Sequence, residues 1–268
     1  MARVQIHNRK KFLFAMSVFA LFMISGCASH EAEVKAYNAE KAHAAAENMD
    51  ETSWGYSEKN GPAHWGGVSK MCTAGHHQSP VNIISSQTIE MNHHYDLSMA
   101  EDVQTMADVI DSGHAIELKP DNGGEITLNG KKFTLIRVIF HGKSEHTIDG
   151  KHYDMAAQLV HENAETKRLA VVAVFFEAGE KNALLDKVLA NIGGKMDIDP
   201  QDLLPADSTH YYHYVGSMTT PPCSEDVQWY LLKEPVQASK EQIEAFRKYY
   251  VDNERPVQEL YDREVESN

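Results

Sequence analysis

The run "RLAVVAVFFEAG", residues 168–179, is apolar on both of its alternating faces for most of its length. Successive side chains of a β-strand point to opposite faces, so a run with no polar side has to be covered on both. Such a strand belongs inside a sheet with packed layers above and below it. Neighbouring segments can supply its partners. "FTLIRVIFH", ending at His141, alternates, with Arg137, Ile139 and His141 on one face and Val138 and Phe140 on the other. "VQWYLLKEPV" is a further strand, stopped by Pro235. Asn129-Gly130 and Asp149-Gly150 are two-residue hairpin signals. Two helices are predicted. "NALLDKVLANIGGK" carries Leu185, Val188, Leu189 and Ile192 on one stripe and stops at Gly193-Gly194. "SKEQIEAFRKYY" opens with Ser239 three residues before Gln242, the spacing of a capping box, and buries Ile243 and Phe246. One mixed, β-dominated α+β domain accounts for these elements, and it is placed at residues 51–268.

The N-terminus stands apart. "MARVQIHNRKK" is basic, "FLFAMSVFALFMI" is apolar but too short to span a bilayer comfortably, and "SGC" follows. That order is a secretory signal, and Ile24-Ser25-Gly26-Cys27 has the form of a bacterial lipoprotein cleavage box. It predicts removal of residues 1–26 and lipidation of Cys27, so that the protein is anchored to a membrane rather than spanning it. An ordinary cleaved signal with a coincidental cysteine is the alternative. Ala28 and Ser29 lack the aspartate that retains such proteins at the inner membrane, which points to the outer membrane of a Gram-negative cell, facing the periplasm or the cell surface. Residues 27–50, rich in Ala, Glu and Lys, read as a solvated tether with helical leanings.

Losing residues 1–26 removes four basic residues and no acid, which takes the net charge from −14 to −18. A surface so acidic disfavours nucleic acid, heparin-like polymers and anionic lipid as partners. Apart from Cys27, the chain has two cysteines, Cys72 and Cys223. In an exported protein a single remaining pair is expected to be bonded, two free thiols being the alternative. The bond would close a loop of about 150 residues, for which chain entropy gives roughly 4–5 kcal/mol.

Several familiar signals are missing. "HENAE" at His161 lacks the second histidine of a zinc-protease helix, there is no G-x-S-x-G, and no glycine-rich stretch has phosphate-loop spacing. The pairs His76-His77 and His93-His94 sit in polar, turn-like surroundings, where neighbouring side chains diverge, and read as solvated surface.

Six segments occur in a fixed order: "WGYSEKNGPAHW" (54–65), "QSPVNI" (78–83), "SGHAIEL" (112–118), "SEHTIDGKHYDMAAQLVHEN" (144–163), "YYHYVGSMTTPPCSEDVQWYLLKEPV" (211–236) and "NERPVQEL" (253–260). In these the chain resembles the α-class carbonic anhydrases, particularly bacterial exported ones, from Trp54 to near Val265. The resemblance implies one domain around a large, twisted, mostly antiparallel sheet, with an active-site cone whose floor holds zinc on three histidines. Cys72 and Cys223 match the family's disulfide positions.

Carried over position by position, the site is altered. Where the family reads "HFH" this chain has Ile139-Phe140-His141, and where it reads "H-L-V-H" this chain has Gln158-Leu159-Val160-His161. One metal ligand, His141, is retained, and those at Ile139 and Gln158 are lost. His161 lies three residues on, facing the other side of its strand, and cannot substitute. The side chains that orient the two lost histidines are replaced as well, by Arg137 and Ala156. The rest of the cone is inherited. Thr219 matches the threonine that accepts from the metal-bound hydroxide and donates to Glu145, and His114 matches the proton shuttle. Val160, Val171, Met218, Val227 and Trp229, with Thr220, match the wall of the carbon dioxide pocket. A catalytic zinc uses three protein ligands and lowers the pKa of its water from 15.7 to about 7, worth roughly 12 kcal/mol. With one imidazole left, no bound zinc cofactor is expected. The implied protein is a carbonic-anhydrase-related lipoprotein without carbon dioxide hydration. Arg137 is then a candidate site for a small anion, and its alternative role is to pair with Glu145 or Glu117 and plug the cavity. An active hydratase built on a non-standard metal site is the alternative function. The sequence names no protein partner.

Overall fold

In the computed structural model, which describes residues 53–92, 94, 95, 97 and 104–268, a 12-stranded sheet dominates. The leader, Cys27, the tether and His93 lie outside the described residues. The principal strands are β1 (Thr105–Asp111), β2 (Ile116–Pro120), β3 (Glu125–Leu128), β4 (Lys131–His141), β5 (Met155–Glu162), β6 (Leu169–Ala178), β7 (Lys195–Ile198), β8 (Tyr211–Ser217), β9 (Glu225–Leu232) and β10 (Val236–Ala238). They run in the order β7-β1-β2-β4-β5-β6-β9-β8, followed by the short strands Glu266–Ser267 and Ile89–Glu90, with β3 paired to β4 and β10 to β6. Most pairings are antiparallel. The exceptions are β6 with β9, β6 with β10, and the two short strands with each other.

β6 lies inside the sheet, as its composition requires, and Ala170 to Phe176 are all buried. Val172, Val174 and Phe176 face a core shared with Val138, Phe140, Leu159 and Leu232. The helices α1 (Ala183–Ala190) and α2 (Lys240–Tyr249) cover that side with Leu185, Val188, Ile243 and Phe246. Val171, Ala173 and Phe175 face the other way, into a second core with Ile139, Ala156, Val160, Trp229 and Leu231. Each large side chain taken fully out of water contributes about 1.5–3 kcal/mol, so both layers matter to stability.

Local signals were honoured where they rest on neighbouring residues. Asn129 and Gly130 both adopt positive φ, 51° and 69°, and join β3 to β4 in the tight turn that suits twisted strands. The Ser239–Gln242 capping box forms in full. Gln242 then does more than its spacing implied: its amide nitrogen donates to the Asn182 carbonyl and to Asp186, fastening α2 to the start of α1. The Asp149-Gly150 signal gives less than a hairpin with two arms. It closes one bridge between Ile148 and Lys151, because Thr147–Ile148 is paired in parallel with Asn82–Ile83.

A β-bulge in β4 was invisible in the alternation. The register to β5 shifts between Leu135 and Arg137, leaving Ile136 opposite no partner and 38% exposed. Phe133 and Leu135 before the bulge, and Val138 and Phe140 after it, therefore reach the same core although their spacing is out of phase. The slip is what turns Arg137, Ile139 and His141 together onto the second face.

Cys72 and Cys223 are bonded, with 151 residues of separation. Replacing both by serine is expected to lower the unfolding free energy by about 2–5 kcal/mol, read as an earlier urea midpoint. An unchanged midpoint would show that the cross-link adds no stability.

Candidate functional site

The floor of the site is a patch of two paired strands. Across β4 and β5, Arg137 faces Val160, Ile139 faces Gln158 and His141 faces Ala156, all on the second face of the sheet. From β2, Glu117 sits opposite Ile139. Cross-strand neighbours on one face interact directly, so these side chains share one environment. Ile139 is 6% exposed, and Gln158 and His141 are each 1% exposed.

Glu145 lies at the centre of the polar contacts and is itself 1% exposed. Its Oε2 accepts from Gln158 Nε2 at 2.6 Å, and its Oε1 accepts from the backbone N–H of Arg255 at 2.8 Å. His141 Nε2 stands 3.5 Å from Oε2. The other ring nitrogen, Nδ1, is 2.7 Å from the Asn253 carbonyl. A carbonyl only accepts, so Nδ1 carries the hydrogen and Nε2 faces the floor. No hydrogen bond joins Thr219 to Glu145 among the described residues, although both are buried.

Asn253 and Arg255, in the segment "NERPVQEL", have no role implied by the resemblance, yet both position the floor. The Asn253 side chain donates to the carbonyls of His114 and Phe140 and accepts from the N–H of Gly142. The Arg255 guanidinium is buried and donates to Gln78 Oε1 and to the carbonyls of Ser79 and Cys72. Burial pulls its pKa down, against the opposing pull of the Glu145 carboxylate. Nothing local in the sequence marks these two residues, because their key contacts run through backbone atoms of other segments.

At the mouth, Arg137 Nη1 approaches Glu117 Oε2 at 3.9 Å, the outer limit of an ion pair, and Arg137 Nε is buried without a partner. Of the two acids that could pair with Arg137, Glu117 is the one in reach, and loosely. His114 stacks on Trp54 with ring centroids 3.8 Å apart. Partial burial lowers its pKa, with Glu117 pulling the other way. Behind the floor, His146 Nε2 lies 2.6 Å from the Tyr214 hydroxyl, and burial pushes its pKa down to about 3. Val160, Val171, Met218, Val227 and Trp229 come together in the second core with Ile139 and are all buried, while Thr220 is half-buried at their edge. His161 faces the opposite side, across from Leu135, with Nδ1 against the Leu159 carbonyl. Among the described residues no three His, Cys, Asp or Glu side chains converge as a metal cluster.

Comparison with known proteins gives a consistent result. The sequence profile described as eukaryotic-type carbonic anhydrase matches residues 60–268. A carbonic anhydrase of Klebsiella pneumoniae is 38% identical over 229 residues, covering 79% of this chain and 89% of its own. The structure of α-carbonic anhydrase from Thermovibrio ammonificans with the inhibitor sulfanilamide is similar at a TM-score of 0.71 and 41% identity, covering 80% of this chain and 98% of that one. Dioscorin complexed with ascorbate is similar at a TM-score of 0.72 and 27% identity, covering 80% and 97%.

The buried histidines set an acid limit. Burial pushes the His161 pKa from 6.5 down to about 4. The unfolded chain takes up this proton near pH 6.5 and the folded chain only near 4, so stability falls as the pH drops through that window and levels off below it. The loss is on the order of 3 kcal/mol. His161→Leu is expected to make the decline between pH 6.5 and 4 shallower by that amount in urea unfolding; an equally steep decline would show that His161 does not cause it.

Proposed function

The chain belongs to the eukaryotic-type (α) carbonic anhydrase family, and we propose that it is a catalytically silent member, a lipid-anchored protein that binds a small anion beside Arg137. One observation carries this reading. Gln158, at the position of a lost ligand, spends its amide N–H on Glu145, while Ile139, at the other, packs into the apolar core. That leaves a single imidazole nitrogen, His141 Nε2, facing the floor. A catalytic zinc needs three protein ligands and an open position for water. The residues present do not fit that ion, and no step is assigned to it. Thr219, His114 and the apolar wall then persist as packing, and the wall is closed, Val160, Val171 and Trp229 having no accessible surface.

Arg137 supports the binding part of the proposal. Its guanidinium is a permanent cation with a planar array of donors, suited to carboxylates and oxyanions. The contact to Glu117 is long, and Nε is free to donate. A related fold, dioscorin, is known with ascorbate, a small organic anion. The signal at residues 1–26 and Cys27 supports a lipid anchor, at the outer membrane by the residues that follow.

Metal analysis of the purified protein with stopped-flow carbon dioxide hydration tests the silent reading, which expects far less than one zinc per chain and turnover at the buffer rate. One zinc per chain with turnover well above buffer would overturn it in favour of a non-standard metal site. Restoring Arg137→Gln, Ile139→His, Ala156→Glu and Gln158→His together is expected to recover zinc. For the anion, calorimetric titration with bicarbonate is expected to give heat in the wild type that Arg137→Gln abolishes. Equal heats in both would remove Arg137 from any binding role.

A further inference from the structure

Four buried side-chain atoms lack a hydrogen-bond partner among the described residues, and three of them face the same patch: Arg137 Nε, Gln158 Oε1 and His141 Nε2. The fourth, on His161, points to the opposite side of β5. Buried polar atoms are almost always satisfied, so three orphans on one patch ask for an occupant. Their chemistry is mixed. Arg137 Nε is a donor. Gln158 Oε1 is an acceptor, and its orientation is fixed: Glu145 offers oxygens only, so the amide nitrogen has to face it and the carbonyl oxygen is turned away. His141 Nε2 stands 3.5 Å from Glu145 Oε2 and is left to that contact.

A plain carboxylate satisfies the donor and sets its remaining lone pairs against the Gln158 oxygen. A ligand that satisfies Arg137 Nε and Gln158 Oε1 together needs an anionic acceptor at one end and an O–H at the other. Building on the anion reading of Arg137 given above, we propose that the patch selects small α-hydroxy carboxylates over carboxylates without the hydroxyl. The carboxylate takes the Arg137 Nε–H, and the hydroxyl donates to Gln158 Oε1. Position suits this assignment. Arg137 and Gln158 are diagonal neighbours on paired strands, within reach of one another for side chains of this length, and Ile139 between them offers an apolar side to the ligand's carbon atoms. Gln158 and His141 are 1% exposed, so water competes poorly for them once a ligand is seated.

The test is calorimetric titration of the full-length protein with acetate, glycolate and methoxyacetate, in the wild type and in Arg137→Gln and Gln158→Met. Glycolate is expected to bind about tenfold more tightly than acetate, the scale of one buried hydrogen bond. Methoxyacetate keeps the oxygen and loses its hydrogen, so it should bind no better than acetate. The glycolate advantage should vanish in Gln158→Met, and Arg137→Gln should weaken all three acids. Equal affinity for glycolate and acetate, with both dependent on Arg137, overturns the selection for a hydroxyl while the anion reading stands. Methoxyacetate binding as tightly as glycolate also overturns the selection, and does so without a variant that must fold. Binding indifferent to Arg137→Gln overturns the anion reading and this inference with it, and no binding by any of the three overturns this inference, the bicarbonate titration deciding the anion reading separately.

Discussion

Glu145 carries a carboxyl group with almost no contact with solvent, and a polar group buried there depends on hydrogen-bond donors brought to it. Its partners come from distant parts of the chain: Gln158 from β5, and Arg255 from the segment after α2, with His141 of β4 at 3.5 Å. Arg255 extends the network, since its guanidinium holds Gln78, Ser79 and the carbonyl of Cys72. Cys72 is bonded to Cys223, a few residues beyond Thr219. One buried charge thus connects the start of the described chain, the floor strands and the C-terminal segment. Removing a single partner from such a network leaves a charge uncompensated, which costs far more than removing a surface ion pair.

Positions 139 and 158 meet different physical demands. Ile139 has apolar neighbours and joins the second core, so its side chain stabilises the face it occupies. Gln158 lies next to Glu145 and supplies a donor that the carboxylate requires, whether or not a metal is present. An apolar residue at 158 would leave Oε2 of Glu145 without its short hydrogen bond. Both side chains fill and brace the floor, and the domain has the architecture of its structural neighbours. Arg137 is the least settled member: its contact to Glu117 is long and one of its donors is unused.

Much of the fold was legible because its signals are local. The apolar run of β6, the Asn129-Gly130 turn and the Ser239–Gln242 capping box each depend on residues adjacent in sequence, and each formed as read. The bulge at Ile136 was not legible, because a register shift exists only relative to β5. The strength of the Asp149-Gly150 turn was overstated for a similar reason: Thr147–Ile148 found a partner in Asn82–Ile83, far away in sequence. For the site, the histidine, the isoleucine and the glutamine could be named from the resemblance. Asn253 and Arg255 could not, since a backbone carbonyl and a backbone N–H carry no signature in the residue type.

By itself the sequence determined which side chains share a strand face and which residue types stand at the floor, because a strand's period of two and the identity of a side chain need no third dimension. That His141 is the one histidine among positions 137, 139, 141, 156 and 158 is a fact of order. Only the tertiary structure decided what each floor residue does. Glu145 could have been held by Thr219, by Arg137 or by neither, and long-range packing brought it Gln158 and the Arg255 backbone instead. The reason is that a buried ion takes its partners from whatever the fold places within hydrogen-bond reach, and reach is set by strand register and chain crossing rather than by sequence distance.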